Sequence, residues 1–534
     1  MYKVADIYCG CGGFSEGFRL AGYDVVFAVD KWQPAVTTHH ANHPKAKTVL
    51  DDVISISKLP DDEFHNIIPD TEIILGSPPC THFSNSNKSG NGDKSLGMEL
   101  IRAYLRIVAR KKIKRGSILK HWILENVPNV EEYIQSEYNL EELGINKSSV
   151  LKVKYDSSRV YNAKYFGVAS NRKRYLCGDF PEPIETIKLE NNVRTVNDIL
   201  SVLTEPDNNT NIKIKDPNYD FVMNQNDITD HAYIMKLAEF ERKKAKRLKQ
   251  DKGYMGKMSF PEDMNKPSRT IMATISCSAR EAIIYRYKDK RYRLPTVREI
   301  ASLMSYSLNY RFYGISKRIK HKLVGNSVPP KMAYALAKAI NKKNGLRTHR
   351  VYKPVSFVNG DFYNLNFEKF KINKEKPKKD NAKFKYHIPY LKINTYRVEL
   401  TNHHSDFEKF DFKWDIEIHR SQGEDAKIYT PMIDGTIFPK RIENKINSFA
   451  NRIIKQLTNS YDFQRTYCKT SKEIKKNKEL GPYELLDKTK KFIKSVLPAG
   501  EFKNGIKIEE SPFLLPKAIV LGYIVLNKII REIA

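Results

Sequence analysis

The first 180 residues alternate short apolar segments typical of β-strands with segments typical of helices. The strand-like segments read VADIY, DVVFAVD, EIILGSPP and HWILENV, and helix-like runs such as MELIRAYLRIVARK lie between them. Strands that alternate with helices predict a mostly parallel, doubly wound α/β sheet. Ligands of such sheets bind in the loops beyond the carboxyl ends of the strands, so functional residues are expected in those loops.

The chain is long and strongly basic. Its 534 residues suffice for about three domains, and 92 Lys+Arg against 62 Asp+Glu give a formal net charge of +30. Such an excess favours a polyanionic partner, most often nucleic acid, although a lysine-rich proteome would give the same composition. No long apolar window occurs and Met1 leads directly into a strand-like run, so we expect neither a membrane protein nor a secreted one.

The six cysteines are scattered along the chain, at Cys9, Cys11, Cys80, Cys177, Cys277 and Cys468. Their spacing fits neither a disulfide framework nor a paired C-x-x-C zinc motif. We therefore expect a reducing, cytoplasmic location and no metal site. A cysteine with a special role would be a reactive thiol.

Changes of pattern divide the chain into five segments. The alternating pattern of residues 1–180 breaks down over 181–290 and returns over 291–343, a basic linker occupies 344–384, and 385–534 mixes strand-like and helix-like segments. The segment 181–290 contains ERKKAKRLKQDK, a strongly basic helix candidate. This helix is either a solvated face or a contact to a DNA backbone, and the sequence favours neither reading.

A glycine-rich loop, DIYCGCGGFSEGF, follows the first strand-like segment. Gly10, Gly12 and Gly13 permit a sharp turn and the close approach of a ligand to backbone N–H groups, although a tight structural turn would need the same residues. Asp30 ends the next strand, where an acidic residue binds ribose hydroxyls in dinucleotide folds. Asp52 follows the third strand-like segment and could reach the base edge of an adenosine.

The glycine loop is not followed by the G-x-x-x-x-G-K-[ST] motif that cradles a triphosphate. A cofactor that carries adenosine but no phosphates needs an acid for its ribose more than it needs a lysine. S-adenosylmethionine is a cofactor of that kind.

A second loop, GSPPCTHFS, places Cys80 just after a buried strand-like segment. Pro78 and Pro79 fix φ at two successive positions and remove two backbone donors, which stiffens the mounting of the thiol. A lone buried cysteine is usually structural. A cysteine after two prolines at the carboxyl end of a strand is instead typical of a nucleophile, which must be ionised by its surroundings or by a nearby base.

In WILENV, Glu125 follows the apolar residues of a strand-like segment, where burial favours the protonated carboxyl. Arg172 and Arg174 alternate in NRKRYLCG, so a strand would present both on one face, although in isolation they would be surface charges. Together with Cys80 these groups define a reaction. A thiolate attacks C6 of a pyrimidine, while a carboxyl at N3 and a guanidinium near O2 stabilise the developing charge.

The reaction then proceeds at C5, which takes an electrophilic methyl group. Loss of the C5 proton and release of the thiol restore the ring. A base inside a duplex cannot be reached in this way, so the target base has to be flipped out.

In this order the motifs resemble those of the DNA cytosine-C5 methyltransferase family, most closely its bacterial and archaeal restriction–modification type. DIYCGCGGFSEGF is similar to the family's cofactor loop, in which Tyr8 would pack on the adenine. Asp30 takes the place of the ribose-binding glutamate, and Asp52 that of the adenine-contacting aspartate. SPPCTHFS resembles the nucleophile loop with Cys80, and ENV resembles the acid motif with Glu125.

Later motifs complete the series. In ENV, Asn126 would brace the nucleophile loop, and NRKR resembles the family's Q-x-R-x-R with Ser170 in place of the glutamine. KPSRTIMAT and RLPTVREIASLMSY follow, where SYS departs from the usual G-F-P, and VGNSVPPKMAYALAKAI would return Asn326 and Ser327 to the cofactor pocket. The further cofactor contacts expected are Gly10, Gly12, Gly13, Pro79 and, from spacing alone, Leu100.

The resemblance covers residues 1 to about 343. It implies an S-adenosylmethionine-dependent methyltransferase fold, made of 1–180 and 291–343, with a smaller target-recognition domain at 181–290. It also implies methylation of C5 of a flipped cytosine in a specific short sequence of double-stranded DNA, by a monomeric catalytic unit. A restriction–modification or related defence system, with a cognate restriction endonuclease or another defence partner, is the expected setting.

Alternatives stay open. An RNA cytosine-C5 methyltransferase would use the same catalytic parts, although that branch typically has other residues where THF follows Cys80 here. A module that only reads DNA sites would need no nucleophile. For 385–534, Asp415, Asp425 and Lys427 faintly resemble a nuclease D…D-x-K pattern, which would make a fused modification–restriction protein. Extra DNA contacts or the docking of a partner are the more expected roles of that region.

Overall fold

The computed structural model describes residues 1–80, 83, 94–206, 212–251, 257–274, 276–287, 290–348, 371–420, 427–508 and 514–534. They belong to two compact units. The first unit comprises Met1–Leu237 and Ser259–Ile372, and the second comprises Ala238–Met258 and Asn373–Ala534. The chain therefore crosses between the units after Leu237, after Met258 and after Ile372.

The first 180 residues of the first unit form alternating strands and helices. In chain order these are β1 (Lys3–Ile7), α1 (Gly13–Ala21), β2 (Asp24–Asp30), α2 (Gln33–Asn42), β3 (Lys47–Leu50), α3 (Val53–Lys58), α4 (Asp61–Ile67), β4 (Ile73–Gly76), α5 (Ser95–Ile113), β5 (His121–Asn126), β6 (Glu137–Asn139), β7 (Val150–Lys152), β8 (Arg159–Asn162), β9 (Ser170–Asn171) and β10 (Lys173–Cys177).

Seven of these strands form one sheet, in the order β3-β2-β1-β4-β5-β10-β8. The first five are parallel to one another, whereas β10 runs antiparallel to both β5 and β8. Every residue of β4 and β5 is buried, as expected of strands covered on both faces. The predicted doubly wound, mostly parallel α/β fold is confirmed.

The strand order reverses between β1 and β4, which makes the carboxyl ends of these two strands the topological switch point of the sheet. Open α/β sheets bind their ligands in the crevice at this point. The glycine loop follows β1 and the Pro-Pro-Cys loop follows β4. The topology therefore brings both loops to the same edge.

The rest of the first unit has short strands and three longer helices. In chain order come α6 (Val196–Leu200), β11 (Lys213–Lys215), β12 (Val222–Asn224), β13 (Met235–Lys236), then α7 (Glu239–Gln250) of the second unit, β14 (Ser268–Arg269), β15 (Tyr285–Arg286), β16 (Tyr292–Leu294), α8 (Val297–Leu303), α9 (Lys317–Asn326) and α10 (Pro330–Lys343). A Cβ at Gly17 would lie 2.3 Å from Ala333 Cβ, so the glycine lets α10 pack closely on α1.

The second unit consists of an antiparallel sheet and several helices. Its elements after α7 are β17 (Lys385–His387), β18 (Tyr396–Thr401), β19 (Asp415–Arg420), β20 (Lys427–Tyr429), α11 (Lys440–Ile454), α12 (Ser460–Cys468), α13 (Ser471–Lys476), α14 (Pro482–Val496), β21 (Gly505–Ile506), β22 (Leu515–Pro516) and α15 (Lys517–Arg531). The sheet order is β17-β18-β19-β20, and the apolar α15 joins its core. Among the described residues, no helix has both the length and the apolarity to cross a membrane.

The basic helix predicted within 181–290 exists as α7, but it belongs to the second unit. The buried carboxylate of Asp251 lies 2.9 Å from His387 Nε2 and accepts a hydrogen bond from the backbone N–H of Tyr390 (2.7 Å). The guanidinium of Arg247 lies 4.2 Å from the centre of the Tyr483 ring. These contacts join residues far apart in sequence, which a local pattern cannot reveal.

The residues of the faint nuclease pattern do not converge. Asp415 pairs with Thr401 at one end of β19, whereas Lys427 pairs with Arg420 at the other end. Asp415 lies 2.9 Å from His404 Nδ1, and Asp425 lies outside the described residues. Asp415 and Lys427 therefore cannot act on one metal ion together.

Candidate active site

One cavity of about 280 Å³ lies at the switch point of the sheet. The described residues that line it are Asp6, Tyr8, Cys9, Gly10, Cys11, Gly13, Phe14, Asp30, Lys31, Trp32, Ser77, Pro78, Pro79, Cys80, Glu125, Arg174, Lys322, Leu323, Asn326, Ser327 and Val328. The cavity thus brings together most of the predicted site residues. The predicted residues outside this lining are Gly12, Asp52, Leu100 and Arg172.

The glycine loop needs its glycines for two different reasons. Gly10 has φ +53°, lines the cavity, and has nothing within 4 Å of the place where a Cβ would lie. Gly12 has φ +86°, and a Cβ there would lie 2.7 Å from the Tyr310 hydroxyl. A Cβ at Gly13 would lie 2.1 Å from the carbonyl oxygen of Val328. Gly10 therefore shapes the cavity, whereas Gly12 and Gly13 allow the loop to pack.

Asp30 is fixed at the end of β2 by two backbone donors. Gly10 N–H donates to its Oδ2 (3.0 Å) and Trp32 N–H to its Oδ1 (2.9 Å). Burial raises the pKa of this carboxyl, while the backbone hydrogen bonds oppose the rise. Each carboxylate oxygen can accept a second hydrogen bond, so Asp30 remains able to bind a hydroxyl from a ligand.

Asp52 and Leu100 do not line the cavity, but each contacts a residue that does. Asp52 caps α3 by accepting a hydrogen bond from Ile54 N–H (2.7 Å), and it lies 3.5 Å from Lys31 Nζ. The carbonyl of Leu100 accepts a hydrogen bond from the Tyr8 hydroxyl (3.0 Å). Both residues thus hold a residue that does line the cavity.

Cys80 is half-buried at the cavity wall, immediately after the two prolines. Asn126 Nδ2 donates a hydrogen bond to the carbonyl of Pro78 (3.0 Å), which confirms the predicted bracing of the loop. Residues 81–82 and 84–93 lie outside the described residues, and they include Thr81 and His82 of the THF segment that follows Cys80. In the glycine loop, burial raises the pKa of Cys9 and raises that of Cys11 to about 11, so both thiols stay protonated at neutral pH.

Glu125 and Arg174 face each other across β5 and β10. Arg174 Nε lies 2.9 Å from Glu125 Oε1, and the Ser77 hydroxyl donates a hydrogen bond to Oε2 (2.6 Å). The glutamate side chain is almost wholly buried. A buried carboxylate with a guanidinium on one oxygen and a hydroxyl on the other is held in a single orientation.

Arg172 is placed differently from Arg174. It is fully buried, and it donates hydrogen bonds to the carbonyls of Ser327 (3.0 Å) and Ile271 (3.3 Å). Burial, followed by the charge of Arg174, lowers the pKa of Arg172. Arg172 therefore supports the segment that carries Ser327, while Arg174 lines the cavity.

Asn326 ends α9 and Ser327 follows it, some 300 residues after the glycine loop. The close packing of α10 on α1 returns this segment to the cavity, as the sequence predicted. The Ser327 hydroxyl donates to the carbonyl of Val324 (2.8 Å).

Sequence reasoning missed several lining residues, among them Ser77, Asp6 and Trp32. Asp6 is the first residue of the glycine-loop motif, and this position was the only sequence feature that could have indicated a role in the site. The Ser15 hydroxyl donates to Asp6 Oδ2 (2.6 Å), while Oδ1 is buried without a hydrogen-bond partner among the described residues. Burial raises the pKa of Asp6 to about 7. Trp32 adds a flat apolar wall, and Lys322 Nζ lies 4.6 Å from its ring centre.

The donor set fits a nucleoside cofactor without phosphates. Asp30 can accept from ribose hydroxyls, Tyr8 and Trp32 offer apolar surfaces for a base, and Asp6 Oδ1 can accept from a further N–H group. The fold and the cavity together define an α/β enzyme whose cofactor loop and cysteine loop share one site.

Comparison with known proteins gives the family. Residues 2–342 match the C-5 cytosine-specific DNA methylase family. A Methanocaldococcus jannaschii protein assigned as a type II methyltransferase is 28% identical over 357 residues, 64% of this chain and 99% of that protein. A type II methyltransferase of Neisseria gonorrhoeae is 26% identical over 363 residues, 64% of this chain and 95% of that protein.

A shorter type II methyltransferase, from Herpetosiphon aurantiacus, is 35% identical over 128 residues, 22% of this chain and 95% of that protein. The family match covers more than half of the chain. The chain therefore belongs to the C-5 cytosine-specific DNA methylase family and is a DNA (cytosine-5-)-methyltransferase.

Proposed function

We propose that the protein methylates C5 of a cytosine flipped out of double-stranded DNA, with S-adenosylmethionine as the methyl donor and a covalent bond between Cys80 and C6. One observation carries the proposal: Cys80, Glu125 and Arg174 line the same cavity as Asp30 and the glycine loop. A shared cavity holds a donor and a target base in the orientation that a bimolecular reaction needs.

The residues that would hold the cofactor are those of the glycine-loop side of the cavity. Asp30 binds the ribose hydroxyls, Tyr8 and Trp32 pack on the adenine, and Asn326 and Ser327 close the pocket from the α9–α10 turn. Asp52 positions Lys31 at the rim. When bound, S-adenosylmethionine supplies an electrophilic methyl group.

The residues that act on the base are those of the Pro-Pro-Cys side. The Cys80 thiolate forms a bond to C6, and the electron pair of the C5–C6 double bond moves towards C5 and N3. Glu125 holds a proton at N3, and the guanidinium of Arg174, 2.9 Å from the glutamate, stabilises the negative charge of the ring. After C5 has taken the methyl group, loss of the C5 proton to solvent reforms the C5–C6 double bond as the Cys80–C6 bond breaks and the thiolate is released.

The cellular role we infer is that of the modification component of a restriction–modification or related defence system. Its relatives in Neisseria gonorrhoeae and Herpetosiphon aurantiacus are type II methyltransferases. A cognate restriction endonuclease, or another defence protein, is the partner that this role requires. The catalytic unit acts as a monomer in a reducing cytoplasm, where the buried thiols of Cys9, Cys11, Cys177 and Cys468 stay free.

Bisulfite sequencing of plasmid DNA tests this proposal, in cells that express the intact protein or the Cys80→Ser variant. We expect methylcytosine at one short recurring sequence with the wild type and none with the variant. An unmethylated plasmid despite soluble wild-type protein would contradict the proposal. In that case, capture of cellular RNA that contains 5-fluorocytosine would identify the RNA-directed alternative.

A further inference from the structure

Three lysines lie on the surface of the second unit, on helices that carry none of the residues assigned to catalysis. They are Lys246 on α7 and Lys490 and Lys494 on α14. Lys246 and Lys494 are exposed. Burial, followed by the positive charge of Lys494, lowers the pKa of Lys490, and Lys246 contributes to the same effect. Lys490 and Lys494 lie one helical turn apart on α14, and α7 adjoins that helix, because the guanidinium of Arg247 lies 4.2 Å from the Tyr483 ring.

Two carboxylates, Asp487 and Asp251, offset part of this charge at Lys490. Asp487 lies one turn before Lys490 and is exposed, and Asp251 is occupied by His387 and the backbone of Tyr390. Within the described part of the chain, none of the three lysines forms an ion pair with a carboxylate. Three lysines beside one exposed carboxylate leave a local excess of positive charge on this surface.

An aromatic side chain completes this surface. Lys490 Nζ lies 4.3 Å from the ring centre of Tyr390, and that tyrosine is 46% exposed. The backbone of Tyr390 is held by the buried Asp251, so the ring has a fixed support. We call Lys246, Lys490, Lys494 and Tyr390 the basic patch.

We propose that the basic patch binds the phosphate backbone of double-stranded DNA, which gives the second unit a role in holding the substrate. Lysine ammonium groups pair with phosphates, and this pairing releases counterions from the DNA. Lysines bind phosphates as point charges and carry no base readout, so this contact adds affinity without sequence preference. The proposal rests on DNA as the substrate of the proposed function.

The test compares two triple variants of the full-length protein. Lys246→Gln/Lys490→Gln/Lys494→Gln removes the charge of the basic patch. Arg441→Gln/Lys445→Gln/Lys455→Gln removes the same charge from exposed positions on and just after α11. Fluorescence anisotropy gives the Kd for DNA at several salt concentrations. The probe is a duplex of about 30 base pairs, which is longer than the contact surface of one protein.

We expect the patch variant to bind DNA on the order of 10-fold more weakly at 150 mM salt, with a salt slope smaller by about 3. The control variant should stay close to the wild type, and kcat at saturating DNA should be unchanged in both. Equal weakening of both variants, or of neither, would overturn the proposal. Because binding is measured without methyl transfer, a wild type that binds DNA but does not methylate it would count against the proposed function alone.

Discussion

Cys80 is the residue on which the proposed chemistry depends. Two prolines precede it, and the hydrogen bond from Asn126 to Pro78 fixes its loop. A serine hydroxyl is far less ionised than a thiol at neutral pH, so we predict that Cys80→Ser abolishes methyl transfer and leaves cofactor binding nearly unchanged. Transfer of radiolabelled methyl groups to DNA and calorimetric titration with S-adenosylhomocysteine measure the two effects. Equal turnover by variant and wild type would refute the covalent mechanism.

Asp6 couples the stability of the cofactor loop to pH. Its pKa is about 7 in the folded protein against an ordinary 3.8, so the folded state holds this proton over a range in which the unfolded state has lost it. The contribution is largest below about pH 4 and is lost as the pH rises to about 7, a change of a few kcal/mol. Urea titrations at several pH values should show this loss for the wild type and a weaker dependence for Asp6→Asn. If the stability of both proteins depended on pH in the same way, groups other than Asp6 would be responsible for that dependence.

Gly12 tests whether the loop needs glycine for its backbone or for space. A residue with a Cβ at φ +86° costs about 1–2 kcal/mol, and the clash with the Tyr310 hydroxyl adds to that cost. Gly12→Ala should therefore lower the free energy of unfolding by more than Gly116→Ala, since Gly116 has φ +73° but faces open space. Thermal unfolding of both variants measures the difference. Equal losses would show that only the backbone conformation matters.

The order of motifs predicted Cys80, Glu125 and Asp30 correctly as neighbours, because strand ends in a doubly wound sheet meet at one edge. Spacing placed Arg172 beside Arg174, and the charge of Arg174 does act on Arg172. The two hydrogen bonds from Arg172 to backbone carbonyls could not be predicted, because their partners come from distant segments. A lone serine such as Ser77 carries no sequence signal, since its role depends on the partner that the fold supplies.

At the scale of elements, the α1–α10 contact determines whether the cofactor pocket closes. Gly17 allows the close approach, and α10 follows directly after the segment with Asn326 and Ser327. We predict that Gly17→Ala separates the helices, lowers the free energy of unfolding by about 1–3 kcal/mol and weakens cofactor binding. Calorimetry with S-adenosylhomocysteine and urea unfolding measure both. If Gly17→Ala bound the cofactor as tightly as the wild type, the packing of α10 on α1 would not be what closes the cofactor pocket.

The strands and helices of the first 180 residues were largely predictable because their apolar patterns are clear, and β1, β2, β4, β5 and α5 appear where those patterns lie. The sequence could not predict that α7 belongs to the second unit. Its sequence shows an exposed basic helix, whereas its attachment depends on single contacts of Arg247 and Asp251 with residues more than a hundred positions away.

At the scale of the whole molecule, the second unit cannot be removed by one cut. A chain that ends at Thr348 would retain Ala238–Met258 without the residues that bury Asp251 and Ala245. We predict rapid proteolysis within that segment and poor solubility. Replacing 238–258 by a short Gly-Ser linker in the same truncated chain should restore resistance to protease and the amount of soluble protein. Limited proteolysis with mass spectrometry measures the first, and the soluble fraction after expression measures the second. Equal resistance of the two truncated chains would contradict the division into units.

The three crossings of the chain between the units also constrain how such a gene can change. A single recombination event within the linker would deliver a new C-terminal region but leave the old helix α7 behind, unmatched to its aromatic and histidine partners. Exchange of the whole second unit requires two coordinated insertions, one of them inside the segment expected to read the target sequence. Lineages of this protein should therefore inherit the recognition segment and the C-terminal unit together, and chimeras designed with one junction should fail where two-junction chimeras fold.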